Sequence, residues 1–351
     1  MNEEQMGKGA VDRPEDYFKP RSWRHEEIAA APIPAKWVEK DEKTGFITYP
    51  KKNQAQSSSC VSHALAKQLS VDELTENGVY RELAPRSIYP YTFHPDGGSS
   101  SPAATKLSTK VGMTLEYLLP GNEYNEEQMR NAADYATDAK LVALIYKPES
   151  FIECNTDFET IASILQSFQN QGKKKVVTVT VAGKNNGTWL SAFPKPPKSY
   201  METGLWYHRI AITDFGLIKG KKVLAFDNSW GEEVGNKGQQ FLTQEYEPYM
   251  YGGIYTLNKP DNWQSIAQKI EPPKFQWTRD LFVGSTGADV TALQQALQSM
   301  GMFPISDIIK PTGAYFGITQ KGVEIFQLHF GLPVTGKVDQ KTREQLNAIF
   351  K

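Results

Sequence analysis

Two cysteines occur in the 351-residue chain, and Cys60 stands in the stretch NQAQSSSCVSHALA, where a serine-rich loop runs into an apolar helical pattern. A thiol acts as a nucleophile in its thiolate form, which a helix N-terminus and a neighbouring imidazolium both favour. Gln54, six residues earlier, can return its amide to the Cys60 N–H, and two such donors suit a developing oxyanion. The base must come from five histidines. His25 lies in an N-terminal arm, His94 in the loop YTFHPDGG and His329 near the C-terminus. His63 shares a helix face with Cys60 and reads as a helix residue with its own hydrogen bond. His208 opens the run HRIAITDFG, and NSWG, Asn228 to Gly231, closes the run after it. Adjacent antiparallel strands would bring Asn228 to His208. The amide oxygen would then hold one ring nitrogen and leave the other for the thiol, with Trp230 covering that bond. Cys154, in FIECNTDFE, has no base-like neighbour and reads as structural.

The elements that must position these groups follow from the hydrophobic pattern. Val61, Leu65 and Leu69 predict a helix over Ser59–Ser70. Ser70 then reads as the cap of a second short helix, VDELTENG, with Glu73 completing a capping box. FETIASILQSFQNQG is an amphipathic helix closed by Gly172. The runs KVVTVTVAG, YHRIAITDFGL, KKVLAFDNSW and YGGIYTL read as strands. Helices first and strands after give an α+β class with two lobes. Residues 1–32, polar and broken by Pro14 and Pro20, form an arm; 33–258 form the main domain; 259–278, interrupted by Pro260, Pro272 and Pro273, form a linker. In 279–351 an internal echo appears: Thr312-Gly313 with Thr319, then Thr335-Gly336 with Thr342, twenty-three residues on. The Thr-Gly pairs read as turns and the later threonines as helix caps, which predicts a small all-α module.

Composition narrows the function. A formal net charge of −1 gives no electrostatic case for nucleic acid. No apolar run is long enough to span a membrane, and the first residues carry no recognisable secretory leader. Two cysteines cannot build a disulfide framework. No cluster has metal-ligand spacing and no phosphate-cradling glycine loop occurs, so neither metal nor any other cofactor is expected.

The order NQxxSSSC, YHRIAI, DNSWG resembles the papain family of cysteine peptidases. The resemblance implies Gln54 for the oxyanion hole, Cys60 as nucleophile, His208 as base and Asn228 as its orienter. It further implies a helical lobe facing a β-barrel-like lobe. Gly97-Gly98 resembles the glycine pair that meets an extended substrate in that family, and with Trp230 it completes the substrate-binding candidates. Three positions depart from the family pattern: Val61 replaces an aromatic residue, Ser57 a half-cystine, and Ala55-Gln56-Ser57-Ser58 a glycine-rich approach.

Residues 279–351 resemble a peptidoglycan-binding domain of bacterial wall enzymes, through Gly284, Gly287, Val290, Leu293, Gln294, Leu297, Val323, Phe326, Gln327, Val338 and the two Thr-Gly-Thr units. A three-helix appendage for another partner is the alternative, since fold alone does not fix a ligand. The expectation is therefore a cysteine endopeptidase acting on polypeptide, tethered to peptidoglycan or another wall glycan. Its rivals are a hydrolase of peptidoglycan peptides with the same residues and an inactive binding protein. The module points to the cell wall or the extracellular space, against the missing leader.

Overall fold

The computed structural model describes residues 6, 8–10, 33–119, 125–133, 135–148, 150–257, 271–300, 302 and 311–350. His25, most of the expected arm, residue 258 at the end of the expected main domain and residues 259–270 of the expected linker lie outside them. The chain divides into two compact units. One comprises residues up to Ala136 and Tyr146–Asn258, the other Thr137–Ile145 and Lys259–Lys351.

The first unit is α+β. Helix α1 spans Cys60–Asn77 without interruption and ends at Gly78, whose φ of 70° lies in the left-handed region glycine tolerates. The expected break at Ser70 does not occur. Its hydroxyl bonds back to the Ala66 carbonyl at 2.7 Å inside the helix, so Ser70 is an interior residue rather than a cap. Helix α2, Ser101–Val111, follows, and α3, Phe158–Gln169, starts at Asp157, whose side chain accepts from the Thr160 N–H.

Six strands follow the order β1-β6-β2-β3-β4-β5 in one antiparallel sheet: β1 Ser150–Cys154, β2 Val177–Lys184, β3 Leu205–Ile218, β4 Lys221–Asp227, β5 Gln239–Thr243 and β6 Met250–Leu257. The sheet is open, with β1 and β5 as edges, where the family resemblance implied a barrel-like lobe. Val177, Val179, Val181, Ile210, Ile212, Leu224 and Phe226 fill its core with Ile161 and Leu165 of α3. Gln68 pins α1 to the sheet, donating to the carbonyls of Val176 and Ile254 at 2.9 Å each.

In the second unit α4 (Ala288–Ser299), α5 (Gly317–His329) and α6 (Gln340–Phe350) pack Leu293, Leu297, Val323, Phe326, Val338 and Leu346 together. The internal echo has a physical basis. Gln294 accepts from the Gly313 N–H and donates to Thr319 Oγ1 at 2.9 Å. Gln327 repeats this, accepting from the N–H groups of Thr335 and Gly336 and donating to Thr342 Oγ1 at 2.9 Å. Each buried glutamine thus locks a Thr-Gly turn to the helix after it, which satisfies backbone donors that would otherwise be stranded.

Candidate active site

Cys60 is the first residue of α1 and is buried, so its sulfur sits at the positive end of an 18-residue helix. The entry loop is tight. Asn53 Oδ1 accepts from the Ala55 N–H, and Ala55 takes φ 47°, a left-handed conformation that costs a non-glycine residue about 1 kcal/mol. Ser57, where a half-cystine would stand, is buried and bonds through Oγ to the Gln54 carbonyl at 2.7 Å and to Ser59 Oγ at 2.6 Å. A hydrogen-bonded serine pair thereby closes the loop without a disulfide.

From the sheet side, β3 brings His208 and Arg209. The Arg209 N–H points at Cys60 Sγ at 3.4 Å, so the sulfur lies one residue along the strand from the imidazole. Asp227, the last residue of β4, pairs with Ala211, and the chain leaving β4 passes beside His208. There Asn228 Oδ1 meets His208 Nε2 at 2.9 Å. His208 Nδ1 is buried without a hydrogen-bond partner among the described residues. With Nε2 carrying the proton to Asn228, Nδ1 is the basic nitrogen.

The orientation of Asn228 is itself enforced. Gln240, buried on β5, donates from Nε2 to the carbonyls of Trp189 and Ser191, at 2.7 and 2.6 Å. Its Oε1 must then face Asn228 Nδ2, 2.7 Å away, which turns Asn228 Oδ1 to the histidine. Trp230 lies against His208 with ring centroids 4.8 Å apart, and Trp189 meets it edge-on at 6.1 Å. These rings exclude water and strengthen the bond they cover.

Gln54 is buried and belongs to the same construction. Its Oε1 accepts from Ser229 Oγ at 2.5 Å, its N–H bonds the Ser229 carbonyl, and Asn53 bridges to Trp230. The amide Nε2 donates to the Ser57 carbonyl at 2.8 Å. Asp227 anchors the base of the motif by accepting from the Tyr49 N–H and Thr48 Oγ1 and by pairing with Lys51 and Lys67. The loop bearing Gln54 and the loop bearing Asn228 therefore hold each other in place.

Burial pushes His208 down to about 4, with Asn228 opposing the shift and the charge of Lys8 adding to it. His63 is driven lower, to about 3, chiefly by burial and then by Lys52; its Nδ1 lies 3.1 Å from the Ser59 carbonyl. That leaves His63 as a helix residue tied to its own entry turn. His94 sits in a loop beside Asp96, 3.6 Å away, and Cys154 lies on edge strand β1 against the core.

Gly97 and Gly98 have φ of 96° and 81°. Their hydrogen-bonding groups serve the loop itself: Gly97 N–H donates to the His94 carbonyl, the Gly98 carbonyl accepts from the His94 N–H, and Gly98 N–H meets Tyr89 Oη. The next N–H, that of Ser99, reaches outward and is taken by the carbonyl of Gly9 from the N-terminal arm, at 2.8 Å. Gln240, Trp189 and Asp227 were not singled out from sequence.

Chemically, the set offers a thiol, a neutral imidazole oriented through its far nitrogen, and the buried Gln54 amide, whose Nε2 donates to the Ser57 carbonyl. Among the described residues no group of His, Cys, Asp and Glu could hold a metal ion.

Comparison with known proteins bears on the fold. Xylellain, a cysteine protease from Xylella fastidiosa, superposes with a TM-score of 0.53 and 15% identity over 73% of this chain and 97% of its own. Procathepsin B S9 from Trypanosoma congolense gives 0.53 and 11% identity over 73% and 88%. The first unit has the papain-like cysteine protease fold. Residues 286–346 match the family described as "Putative peptidoglycan binding domain". The chain thus joins a papain-like protease fold to a peptidoglycan-binding-type domain. No curated protein matches the chain.

Proposed function

We propose that the protein is a cysteine peptidase in which Cys60 attacks a peptide carbonyl, and that the C-terminal domain holds it on peptidoglycan. His208 Nδ1 takes the thiol proton, the helix N-terminus favours the thiolate, and the Gln54 amide with the Cys60 N–H receives the oxyanion. His208 then protonates the leaving amine, and water releases the acyl-enzyme. Asn228 keeps the imidazole in the productive tautomer throughout. The observation that carries this reading is the His208 Nε2–Asn228 Oδ1 bond on the strand whose next N–H touches Cys60 Sγ.

The family match of residues 286–346 supports a wall-bound location for the substrate and gives weight to a second reading, hydrolysis of the peptides of peptidoglycan itself. One experiment tests both. A peptide library and purified sacculi are offered to the chain and to its Cys60→Ala variant. The proposal expects cleavage of library peptides that is lost with Cys60→Ala. Release of sacculus peptides with no library peptide cut would move the substrate into the wall. No Cys60-dependent cleavage of either would overturn the assignment.

A further inference from the structure

The turn that leads from Gln54 into Cys60 contains one peptide group that is held at both ends. The Ser57 carbonyl accepts from Gln54 Nε2 at 2.8 Å. The N–H of the same peptide group, that of Ser58, donates to Glu126 Oε2 at 2.7 Å, across 68 residues of chain. Glu126 stands at the head of the short helical turn Glu126–Arg130, which Asn125 caps by accepting from the Gln128 N–H. A carboxylate on this N–H polarises the peptide group and makes its carbonyl a stronger acceptor for the glutamine. An amide nitrogen carries two hydrogens, so Gln54 Nε2 can hold the Ser57 carbonyl with one and meet an oxyanion with the other. At the far side of the amide, Ser229 Oγ fixes Oε1. The aim of Nε2 is therefore set by the tilt of the Ser57–Ser58 peptide group, and Glu126 sets that tilt.

Glu126 is itself tied down. Its Oε1 accepts from Tyr89 Oη at 2.6 Å, and that hydroxyl oxygen accepts from the Gly98 N–H at 3.2 Å. Burial, and then the carboxylate, push the Tyr89 hydroxyl above its ordinary range, so it stays a donor. Arg130 Nε donates to the same Oε1 at 2.8 Å, and its guanidinium lies 4.7 Å from the centre of the Phe93 ring. Ser58 and Tyr89 both donate, so only a side chain with two acceptor oxygens satisfies them together. The Arg130 charge offsets that of the carboxylate, which would otherwise oppose an oxyanion at the neighbouring turn.

We infer that Glu126 is a positioning residue for the oxyanion amide: it holds and polarises the Ser57–Ser58 peptide group, and that group aims Gln54 Nε2. The inference rests on the peptidase reading and extends its machinery beyond the groups that meet substrate. Glu126 serves only the steps in which the substrate carbonyl becomes tetrahedral. Alkylation of Cys60 by iodoacetamide forms an S–C bond and expels iodide with no tetrahedral oxyanion, so it does not draw on Glu126.

The test is a double-mutant cycle on the full chain, comparing wild type, Glu126→Ala, Gln54→Ala and the double variant. Two rates are read: kcat on a library peptide that the wild type cuts, and alkylation of Cys60 by iodoacetamide followed by peptide mass mapping. The inference expects Glu126→Ala to lower kcat about ten- to a hundredfold, the range for a misplaced oxyanion donor. It expects alkylation to stay within about twofold of wild type. In the Gln54→Ala background the Glu126 substitution lowers kcat no further, because the group it aims is gone. Glu126→Gln, which keeps the shape but offers one acceptor oxygen, runs the same cycle if Glu126→Ala does not fold. A full further loss in the Gln54→Ala background, or alkylation that falls together with kcat, would overturn the inference and leave the peptidase reading standing. A wild type with no Cys60-dependent cleavage would overturn both.

Discussion

Gln240 never meets the thiol, yet the geometry makes catalysis depend on it. Replacing it by leucine keeps most of the buried volume and removes the acceptor for Asn228 Nδ2. The amide of Asn228 then has no partner to fix its sense, and its flipped form sets an N–H against His208 Nε2. That forces the ring proton to Nδ1, the nitrogen that must be basic. Leaving a buried polar group unsatisfied costs about 1–3 kcal/mol, which converts to a loss of about 5- to 150-fold in kcat/KM. The loss falls on kcat, because Gln240 is fully buried and cannot touch substrate. The assay is steady-state hydrolysis of a library peptide that the wild type cuts, with a thermal melt as control. The carbonyls of Trp189 and Ser191 lose their donor too, so a modest fall in Tm accompanies the change. A kcat within about twofold of wild type in a folded Gln240→Leu protein would refute the orienting chain from Gln240 through Asn228 to His208.

Acid should destabilise the first unit earlier than carboxylate titration would. His63 and His208, at about 3 and about 4, stay neutral in the folded state, while in the unfolded chain they bind protons below about 6.5. Their contribution to stability is fully present above pH 6.5 and is lost as pH falls towards the folded values. Between pH 6.5 and 5.5 each histidine contributes about 1 kcal/mol, with the slope rising towards about 1.4 kcal/mol per pH unit. Denaturant melts between pH 6.5 and 5.5 should show it, and His63→Leu should roughly halve it; an unchanged slope would contradict the assignment. In the second unit, Gln327→Ala strands the N–H groups of Thr335 and Gly336 and should cost about 2–4 kcal/mol. Calorimetry of the full chain should show one transition lowered and the other unmoved. A chain ending at residue 258 should no longer sediment with purified sacculi, and retained sedimentation would shift wall binding to the first unit.

Much of the site was legible because its signals are local. The gap from Gln54 to Cys60, the apolar period of α1 and the compact DNSWG each report on a few consecutive residues. The strand runs KVVTVTVAG and KKVLAFDNSW were visible for the same reason, although the second strand ends at Asp227, three residues before the run does. What stayed hidden depends on contacts distant in sequence. Gln240 and Trp189 matter only because β5 and the Trp189 loop fold onto Asn228. Strands β1 and β5 are five-residue edges with no alternation long enough to announce them. Ser70 misled because a serine followed three residues later by Glu73 reads equally well as a cap and as an interior back-bonded pair. Gly97-Gly98 stood out as a glycine pair, and both residues take positive φ, a backbone conformation that residue types suggest but whose hydrogen-bond partners they do not name. The grouping of Thr137–Ile145 with the C-terminal unit has no sequence signature.

The most direct test of the account is residue-resolved labelling with an irreversible peptidyl epoxide, followed by mass mapping, on the chain and on its His208→Ala variant. The account predicts one adduct, on Cys60, that forms quickly in the first protein and is lost or strongly slowed in the second, with Cys154 unmodified in both. Absence of a Cys60 adduct, or one that forms equally fast without His208, would contradict it.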